Sequence, residues 1–179
     1  MLMAARLREL LDYDPLTGLF TWLVKRKGTL GIGSVAGCHD CHEYPSGSRY
    51  WKIGIDYHHY KRSRLAWLYV YGEWPNGELD HIDGIEGNDA IANLRQATRL
   101  QNSQNTRGRK YSRAKLKGVR RMSKPGLTKP WNARITVDKI ERYLGYFVTE
   151  REAAEAYDAA AVRFHGAFAR TNRMLGLLQ

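Results

Sequence analysis

The feature that most constrains the fold is an alanine-rich stretch of helical periodicity that follows three stretches of alternating apolar and polar residues. Alternation of this kind predicts strands. The three stretches are Leu116 to Met122, Trp131 to Val137 and Glu141 to Val148. Thr149 and Glu152 fit a capping box at the start of the helix, and Gly166 fits its end. Small alanine side chains let a helix lie close to a sheet, so we predict a three-stranded antiparallel sheet plus one helix.

The N-terminal 75 residues predict short elements of both kinds. Leu10 to Trp22 contains a helix end, a Pro-Gly turn and a strand, and Tyr50 to Ile55 alternates as another strand. Arg64 to Val70 has the spacing of a short helix, and Asn93 opens a stretch compatible with a helix through Asn102. The fold class that follows is α+β.

The charge of the chain predicts a polyanionic partner. The net charge is +11 and the pI is about 9.8, which favours double-stranded DNA. No run of about 18 apolar residues exists, so we expect no membrane association. Met1 to Leu11 lacks an apolar signal core, which predicts an intracellular protein.

A polar motif begins at Asp80-His81-Ile82-Asp83-Gly84 and continues through Asn88, Asn93 and Asn102. Hydrolysis of a phosphodiester needs a base near neutral pH, which an imidazole supplies. It also needs charge neutralisation, which a divalent metal on carboxylate and amide oxygens supplies. On a strand, Asp80 and His81 would point to opposite sides, so a turn near Gly84 would have to redirect one of them.

The spacing of this motif resembles that of the HNH nucleases, whose ββα-metal finger is two strands and a helix around one metal. The resemblance implies that His81 is the general base and that Asn93 steadies the loop. It implies that Asp80 and Asn102 bind the metal, Mg²⁺ with Mn²⁺ as a substitute. For Asp83 and Asn88 we expect a structural role in a turn.

The flanking residues are similar to those of phage-type HNH homing endonucleases over roughly residues 8–105. The similarity lies in Tyr13-Asp14-Pro15, in Arg64-Leu65-Ala66-Trp67 and in Asn93-Leu94-Arg95. One departure is Ser63, where the family often has His. The resemblance implies a nuclease domain at residues 1–105 of a phage protein in the cytoplasm of a bacterial host.

A basic segment follows the motif. Residues 104–143 contain thirteen Lys or Arg and two acidic residues, and residues 106–115 read as a basic linker. On the predicted strands these charges are interleaved with aromatic residues, which suits a sheet that lies in a DNA groove.

Residues 116–172 resemble the ethylene-response-factor (Apetala-type) DNA-binding domain of plants. The resemblance rests on Gly118-Val119-Arg120, Tyr143-Leu144-Gly145, the alanine-rich helix and His165-Gly166-Ala167-Phe168. It leaves residues 173–179 as a tail. By position, the candidate DNA contacts are Arg120, Arg121, Trp131, Arg134 and Arg142. For each arginine the alternative is an exposed charge, and for Trp131 it is core packing.

The segment Cys38-His39-Asp40-Cys41-His42 fits the pattern of haem attachment and offers thiol and imidazole ligands for zinc. Haem attachment needs export, and we read no export signal in Met1 to Leu11. We favour an ordinary polar loop with reduced thiols over zinc at Cys38 and Cys41.

Together these features predict a site-specific DNA endonuclease that nicks one strand per chain. The alternative is a DNA-binding regulator with an inactive nuclease finger, and an RNA-binding module is a third reading. We expect no small-molecule substrate, and a monomer is favoured.

Overall fold

The computed structural model describes residues 1–26, 30–39, 50–106 and 116–178. The chain divides into two compact units, Met1–Thr98 and Arg99–Gln179. Helices and small antiparallel sheets occur together in the described residues, which confirms the mixed α+β composition. The predicted linker, apart from Thr106, lies outside these residues, and so does Cys41.

The first unit begins with helix α1 (Ala4–Leu10), which leads into a hairpin of β1 (Leu11–Asp14) and β2 (Leu19–Trp22). The hairpin turn is stabilised by the Asp14 carboxylate, which accepts hydrogen bonds from the Leu16 amide at 2.9 Å and the Thr17 hydroxyl at 2.6 Å. Gly18 closes the turn with a φ of +73°, a conformation that favours glycine.

A second antiparallel sheet contains β3 (Cys38–His39), β4 (Trp51–Ile55) and β5 (His58–Lys61) in that order. Asp56 and Tyr57 connect β4 to β5 with φ values of +46° and +64°. Two successive residues with positive φ form the turn that matches the twist of a tight hairpin.

Helix α2 (Arg62–Tyr71) follows β5 directly and ends at Gly72, which has a φ of +78°. Its apolar residues pack with α1 and the first two sheets into one core. The large side chains of this core that are at most 1% exposed are Leu7, Leu11, Phe20, Ile53, Ile55, Leu65 and Leu68. Each such side chain contributes about 1.5–3 kcal/mol when buried, so this core anchors the elements that carry the polar motif.

The polar motif lies on a hairpin of β6 (Glu78–His81) and β7 (Leu94–Ala97), with a 3₁₀ turn (Ile91–Asn93) before β7. The prediction of a helix from Asn93 is wrong, because helix α3 begins only at Arg99 and ends at Gln104. Pairing with β6 buries Leu94 and Ala97 and places Arg95 opposite Asp80. These contacts outweigh the local preference for a helix.

The second unit contains β8 (Val119–Arg121), β9 (Trp131–Val137) and β10 (Ile140–Phe147), which form an antiparallel sheet in that order. The register shifts between Tyr143 and Gly145, where β10 carries an irregularity. Asp138 and Lys139 connect β9 to β10 with φ values of +52° and +66°.

Helix α4 (Glu150–His165) packs on one face of this sheet. The predicted capping box is confirmed: the Thr149 hydroxyl accepts from the Glu152 amide at 3.2 Å, and the Glu152 carboxylate accepts from the Thr149 amide at 3.3 Å. Gly166 caps the other end with a φ of +53°. Both ends of α4 therefore lie where the sequence predicts them.

The alanines of α4 allow the close packing that the sequence suggests. Ala153, Ala154 and Ala161 are fully buried. Gly118 approaches so closely that a Cβ built on it would lie 1.9 Å from Cδ2 of Tyr157. Burial, together with the charge of Asp158, raises the pKa of the Tyr157 hydroxyl.

The C-terminal segment packs onto the same unit. Leu178 is 9% exposed and belongs to the core cluster of Val119 and Ala133, so the predicted tail at residues 173–179 is held at this point. Asn172 is fully buried and bonds to both the Lys117 backbone and the Asp158 carboxylate. Across the described parts of the chain, no helix combines the length and apolar character that crossing a membrane requires.

Candidate active site and nucleic-acid face

Asp80 is a buried carboxylate at the centre of the β6–β7 hairpin. It is 4% exposed and stands opposite Arg95 in the strand register. Nη2 and Nε of Arg95 lie 2.6 Å and 2.8 Å from Oδ2 of Asp80. A charge of this kind is costly to bury without a partner, so Arg95 stabilises Asp80 at this position.

His81, the next residue, is 7% exposed and contacts a different partner. Its Nε2 lies 2.7 Å from Oδ1 of Asp89, which is 2% exposed. Arg62 donates from Nε to the other carboxylate oxygen at 2.6 Å and from Nη2 to the carbonyl of Gly87 at 2.6 Å. Arg62, Asp89 and His81 thus form a continuous buried line of hydrogen bonds.

The backbone at Asp89 is fixed by the β1–β2 hairpin. The Tyr13 hydroxyl donates to the Asp89 carbonyl at 2.8 Å. A Cβ on Gly18 would lie 2.3 Å from both the Asp89 carbonyl carbon and the Ala90 nitrogen, so only glycine permits this approach. Burial, and next the charge of Asp89, raises the pKa of Tyr13 to about 12. Tyr13 therefore stays protonated as a donor throughout the neutral range.

The loop between β6 and β7 is closed by Asn93. Its Nδ2 donates to Oδ1 of Asp83 at 3.0 Å and to the Asn88 carbonyl at 2.8 Å, and its Oδ1 accepts from the Asp83 amide at 3.0 Å. Asp83 also accepts from the Ile85 amide and from Nδ2 of Asn88. The structural role expected for Asp83 and Asn88 is confirmed by these contacts.

The same contacts set the charge state of Asp83. Partial burial alone would raise the pKa of its carboxyl group. The hydrogen bonds from Ile85, Asn88 and Asn93 outweigh burial and hold the pKa below its ordinary value. The Asp83 carboxylate is therefore ionised at neutral pH and accepts hydrogen bonds from three residues of the loop.

The structure brings Asp80, His81 and Asn93 together on the β6–β7 hairpin and its loop. Asn102 lies on α3, is half-buried, and belongs to the second compact unit. Within that unit, the Lys117 ammonium donates to the Gln104 carbonyl at the end of α3 at 2.9 Å.

The donor chemistry of the predicted metal ligands suits a hard divalent ion. Asp80 offers a carboxylate oxygen and Asn102 an amide oxygen, which are ligand types that Mg²⁺ accepts. No group of three or more His, Cys, Asp or Glu side chains is arranged for a metal within the described residues.

The predicted DNA contacts divide between the two faces of the sheet in the second unit. Arg120 is paired with Asn132, and Arg134 is two residues further along β9, so both arginines lie on the face opposite α4. Tyr143 and Tyr146 are paired with Arg134 and Asn132 and lie on this face too, 68% and 54% exposed. We call this surface the open face.

Arg121, Trp131 and Arg142 lie on the other face, which carries α4. The Arg121 guanidinium is 5.8 Å from the Trp131 ring, and the Arg142 guanidinium is 5.3 Å from the ring of Phe164 on α4. Trp131 packs against the core cluster of Val119 and Ala133. The alternative of core packing that the sequence left open for Trp131 therefore accounts for its position.

Comparison with known proteins identifies the family. The HNH endonuclease family model matches residues 60–104, which contain β6, β7 and α3. The uncharacterized HNH endonuclease L560 of Acanthamoeba polyphaga mimivirus is 30% identical over 165 residues, which cover 87% of this chain and 81% of that protein. The chain belongs to the HNH endonuclease family. No solved structure matches it.

A second set of relatives matches only in part. The AP2-like ethylene-responsive transcription factor AIL7 of Arabidopsis thaliana is 39% identical over 97 residues, or 53% of this HNH endonuclease. CRL5 of Oryza sativa subsp. japonica, from the same group, is 37% identical over 97 residues. The chain spans 17% of the length of AIL7 and 14% of that of CRL5.

The charged partners of the HNH motif are not recognisable from the sequence alone. Arg62, Asp89 and Arg95 each contact another charged side chain in or beside the site. Arg62 and Asp89 are 27 residues apart, so no local pattern links them. For Arg95, the adjacent pairs Asp80-His81 and Leu94-Arg95 would have suggested a cross-strand ion pair had the hairpin been predicted.

Proposed function

We propose that this HNH endonuclease hydrolyses phosphodiester bonds in double-stranded DNA, with His81 as the general base. The observation that carries the proposal is the arrangement at the end of β6. Asp80 and His81 are adjacent, both almost fully buried, and each is held by a charged partner. An imidazole can activate water, and a carboxylate can hold the metal that binds the phosphate. Asp80 and His81 supply these two groups on adjacent residues.

In the proposed reaction, His81 takes a proton from a water molecule. The water oxygen forms a bond to phosphorus while the bond from phosphorus to the 3′ oxygen breaks, and that oxygen takes up a proton from solvent. Asn93 contributes by holding the loop after His81, since its side chain bonds to Asp83 and to the Asn88 carbonyl. Asn93 is therefore a positioning residue.

We assign a divalent metal to Asp80 and Asn102, with Mg²⁺ as the ion and Mn²⁺ as a substitute. Asp80 and Asn102 would hold this ion, and it would supply charge neutralisation at the phosphate and at the departing 3′ oxygen. This assignment makes β6, β7 and α3 the two strands and helix of a ββα-metal finger.

We further propose that residues 116–172 are an ethylene-response-factor-type domain that contacts DNA through the open face. The partial similarity to AP2-like factors supports this assignment. Arg120 and Arg134 are suited to phosphate or guanine contacts, and Tyr143 and Tyr146 supply exposed aromatic surface. Arg134 also pairs with Glu141 at 2.9 Å, so it would exchange this partner for DNA.

The proposed division of labour is a nuclease domain at residues 1–105 and a DNA-binding domain at 116–172, joined by the segment 106–115. One finger holds one metal site, so one chain is expected to cut one strand. The similarity of residues 8–105 to phage-type homing endonucleases supports a site-specific target.

The test is cleavage of a supercoiled plasmid that carries a target selected from a random duplex library. Wild type should nick the plasmid in Mg²⁺ and stop in EDTA. His81→Ala should bind the target but lose cleavage, whereas His58→Ala, an exposed histidine on β5, should cut as wild type does. Unchanged cutting by His81→Ala would show that the base assignment is wrong. Binding without cleavage by wild type in Mg²⁺ or Mn²⁺ would instead identify a DNA-binding regulator.

A further inference from the structure

The line of hydrogen bonds from Arg62 through Asp89 to His81 has a chemical consequence. An ionised carboxylate only accepts hydrogen bonds, and Oδ1 of Asp89 lies 2.7 Å from Nε2 of His81. Nε2 must therefore carry the proton in this contact. In a neutral imidazole, a proton on Nε2 leaves the basic lone pair on Nδ1.

We propose that Asp89 is a positioning residue that fixes the tautomer and the orientation of His81, so that Nδ1 is the atom that takes the proton from water. The inference rests on the proposed role of His81 as general base. It adds which nitrogen acts and which residues select it.

The position of Asp89 is set by contacts that do not involve His81. Arg62 holds its second carboxylate oxygen at 2.6 Å and is itself 2% exposed. Tyr13 and the close approach of Gly18 hold its backbone. Both the carboxylate and the backbone of Asp89 are therefore held in place before the reaction. A residue held in this way can orient the imidazole of a catalytic histidine.

Arg62 also determines which atom of the side chain at position 89 faces it, because a guanidinium can only donate hydrogen bonds and therefore needs an acceptor. In Asp89→Asn, the introduced amide must turn its oxygen to Arg62 and its NH₂ group to His81. Nε2 would then have to accept, and the imidazole would carry its proton on Nδ1, where it cannot act as base. The variant keeps the size of the side chain while reversing the tautomer.

The first experiment is NMR of full-length protein labelled with ¹⁵N in histidine, which distinguishes the two neutral tautomers by their ring-nitrogen couplings. The His81 signals are assigned by their loss in His81→Ala. We expect wild type to show the Nε2-protonated form and Asp89→Asn to show the Nδ1-protonated form. If His81 of the wild-type protein is protonated on Nδ1, the proposal is wrong. This outcome is read from the wild-type spectrum alone, so it does not depend on whether Asp89→Asn folds.

The second experiment measures cleavage of the selected target. Asp89→Asn should lower kcat roughly 10²- to 10⁴-fold with KM for DNA unchanged, as expected when the base is held in the wrong tautomer. Tyr13→Phe is the matched control, because it removes a hydrogen bond to the Asp89 backbone and leaves the carboxylate in place. It should keep the wild-type tautomer and lower kcat by less than about tenfold.

The outcomes separate this inference from the proposed function. If His81→Ala cuts as wild type does, the base assignment fails, whatever tautomer the spectra show. If His81→Ala is inactive but Asp89→Asn cuts at the wild-type rate, His81 remains the base and the role of Asp89 is refuted.

Discussion

The ammonium group of Lys117 lies 2.9 Å from the carbonyl oxygen of Gln104, the last residue of α3. It also donates to the Thr106 carbonyl at 2.8 Å. The last carbonyls of a helix have no partner within the helix, and a positive charge there is favourable. Lys117 thereby links the end of α3, the helix that carries Asn102, to the residues just before β8.

This lysine is expected to make stability depend on pH. Burial, opposed by Asp158 but assisted by Arg170, lowers the pKa of Lys117 from 10.5 to about 8. Above pH 8 the unfolded chain therefore binds more protons at this site than the folded chain does. The free energy of unfolding should rise between pH 8 and 9.5, below the range in which tyrosines titrate.

Urea denaturation of the full chain at several pH values measures this effect. In Lys117→Met the rise should be absent, since the titrating group is removed while a side chain of similar length remains. An equal rise in both proteins would assign the pH dependence to other groups.

Gly118 should be a position at which even alanine is rejected. Its φ is +74°, and a Cβ would lie 1.9 Å from the Tyr157 ring. Gly118→Ala combines this clash with a strained backbone and should lower the free energy of unfolding by about 3 kcal/mol. Gly126→Ala has the same φ within 2° but meets no atom within 4 Å, so it should cost only about 1 kcal/mol. Similar losses in the two variants would show that packing on Tyr157 does not matter.

In the second unit, the elements that the sequence predicts correctly depend on interactions between residues that are close in the chain. Thr149, Glu152 and Gly166 mark the ends of α4 because capping is decided within a few residues. The strand at Trp131–Val137 has the bounds expected from its alternation. Such features need no knowledge of distant contacts.

The hairpin around the HNH motif was not predictable in this way. Leu94 to Ala97 forms a strand because Leu94 becomes buried and Arg95 pairs with Asp80. The strand partners of Leu94 and Arg95, His81 and Asp80, are remote in sequence. The same holds for Asp89, whose role depends on Arg62 and His81. The motif residues could be picked out by spacing, whereas the residues that hold them depend on tertiary contacts.

Gly18 should affect catalysis although it lies on the β1–β2 turn. Alanine there would place Cβ 2.3 Å from the backbone of Asp89 and Ala90, so the loop must shift. A displacement of about 1 Å in a catalytic group can cost roughly 10²-fold in rate, and we expect a loss of this size in kcat. Gly72→Ala is the matched control, since its φ of +78° is similar and no atom lies within 4 Å.

The measurement is nicking of the plasmid target, with circular dichroism to verify that both variants remain folded. Wild-type kcat in a folded Gly18→Ala would mean that the contact with Asp89 has no part in catalysis.

The two faces of the sheet give different expectations for DNA affinity. Arg120→Ala on the open face should weaken binding and reduce the slope of log K against log salt by about 1 if Arg120 contacts a phosphate. Arg142→Ala should have a smaller effect, since that guanidinium lies 5.3 Å from the Phe164 ring on the face that carries α4. Arg151→Ala, an exposed arginine on α4, is the control and should bind as wild type does. Fluorescence anisotropy at several salt concentrations distinguishes them, and a larger loss for Arg142→Ala than for Arg120→Ala would move the DNA contact away from the open face.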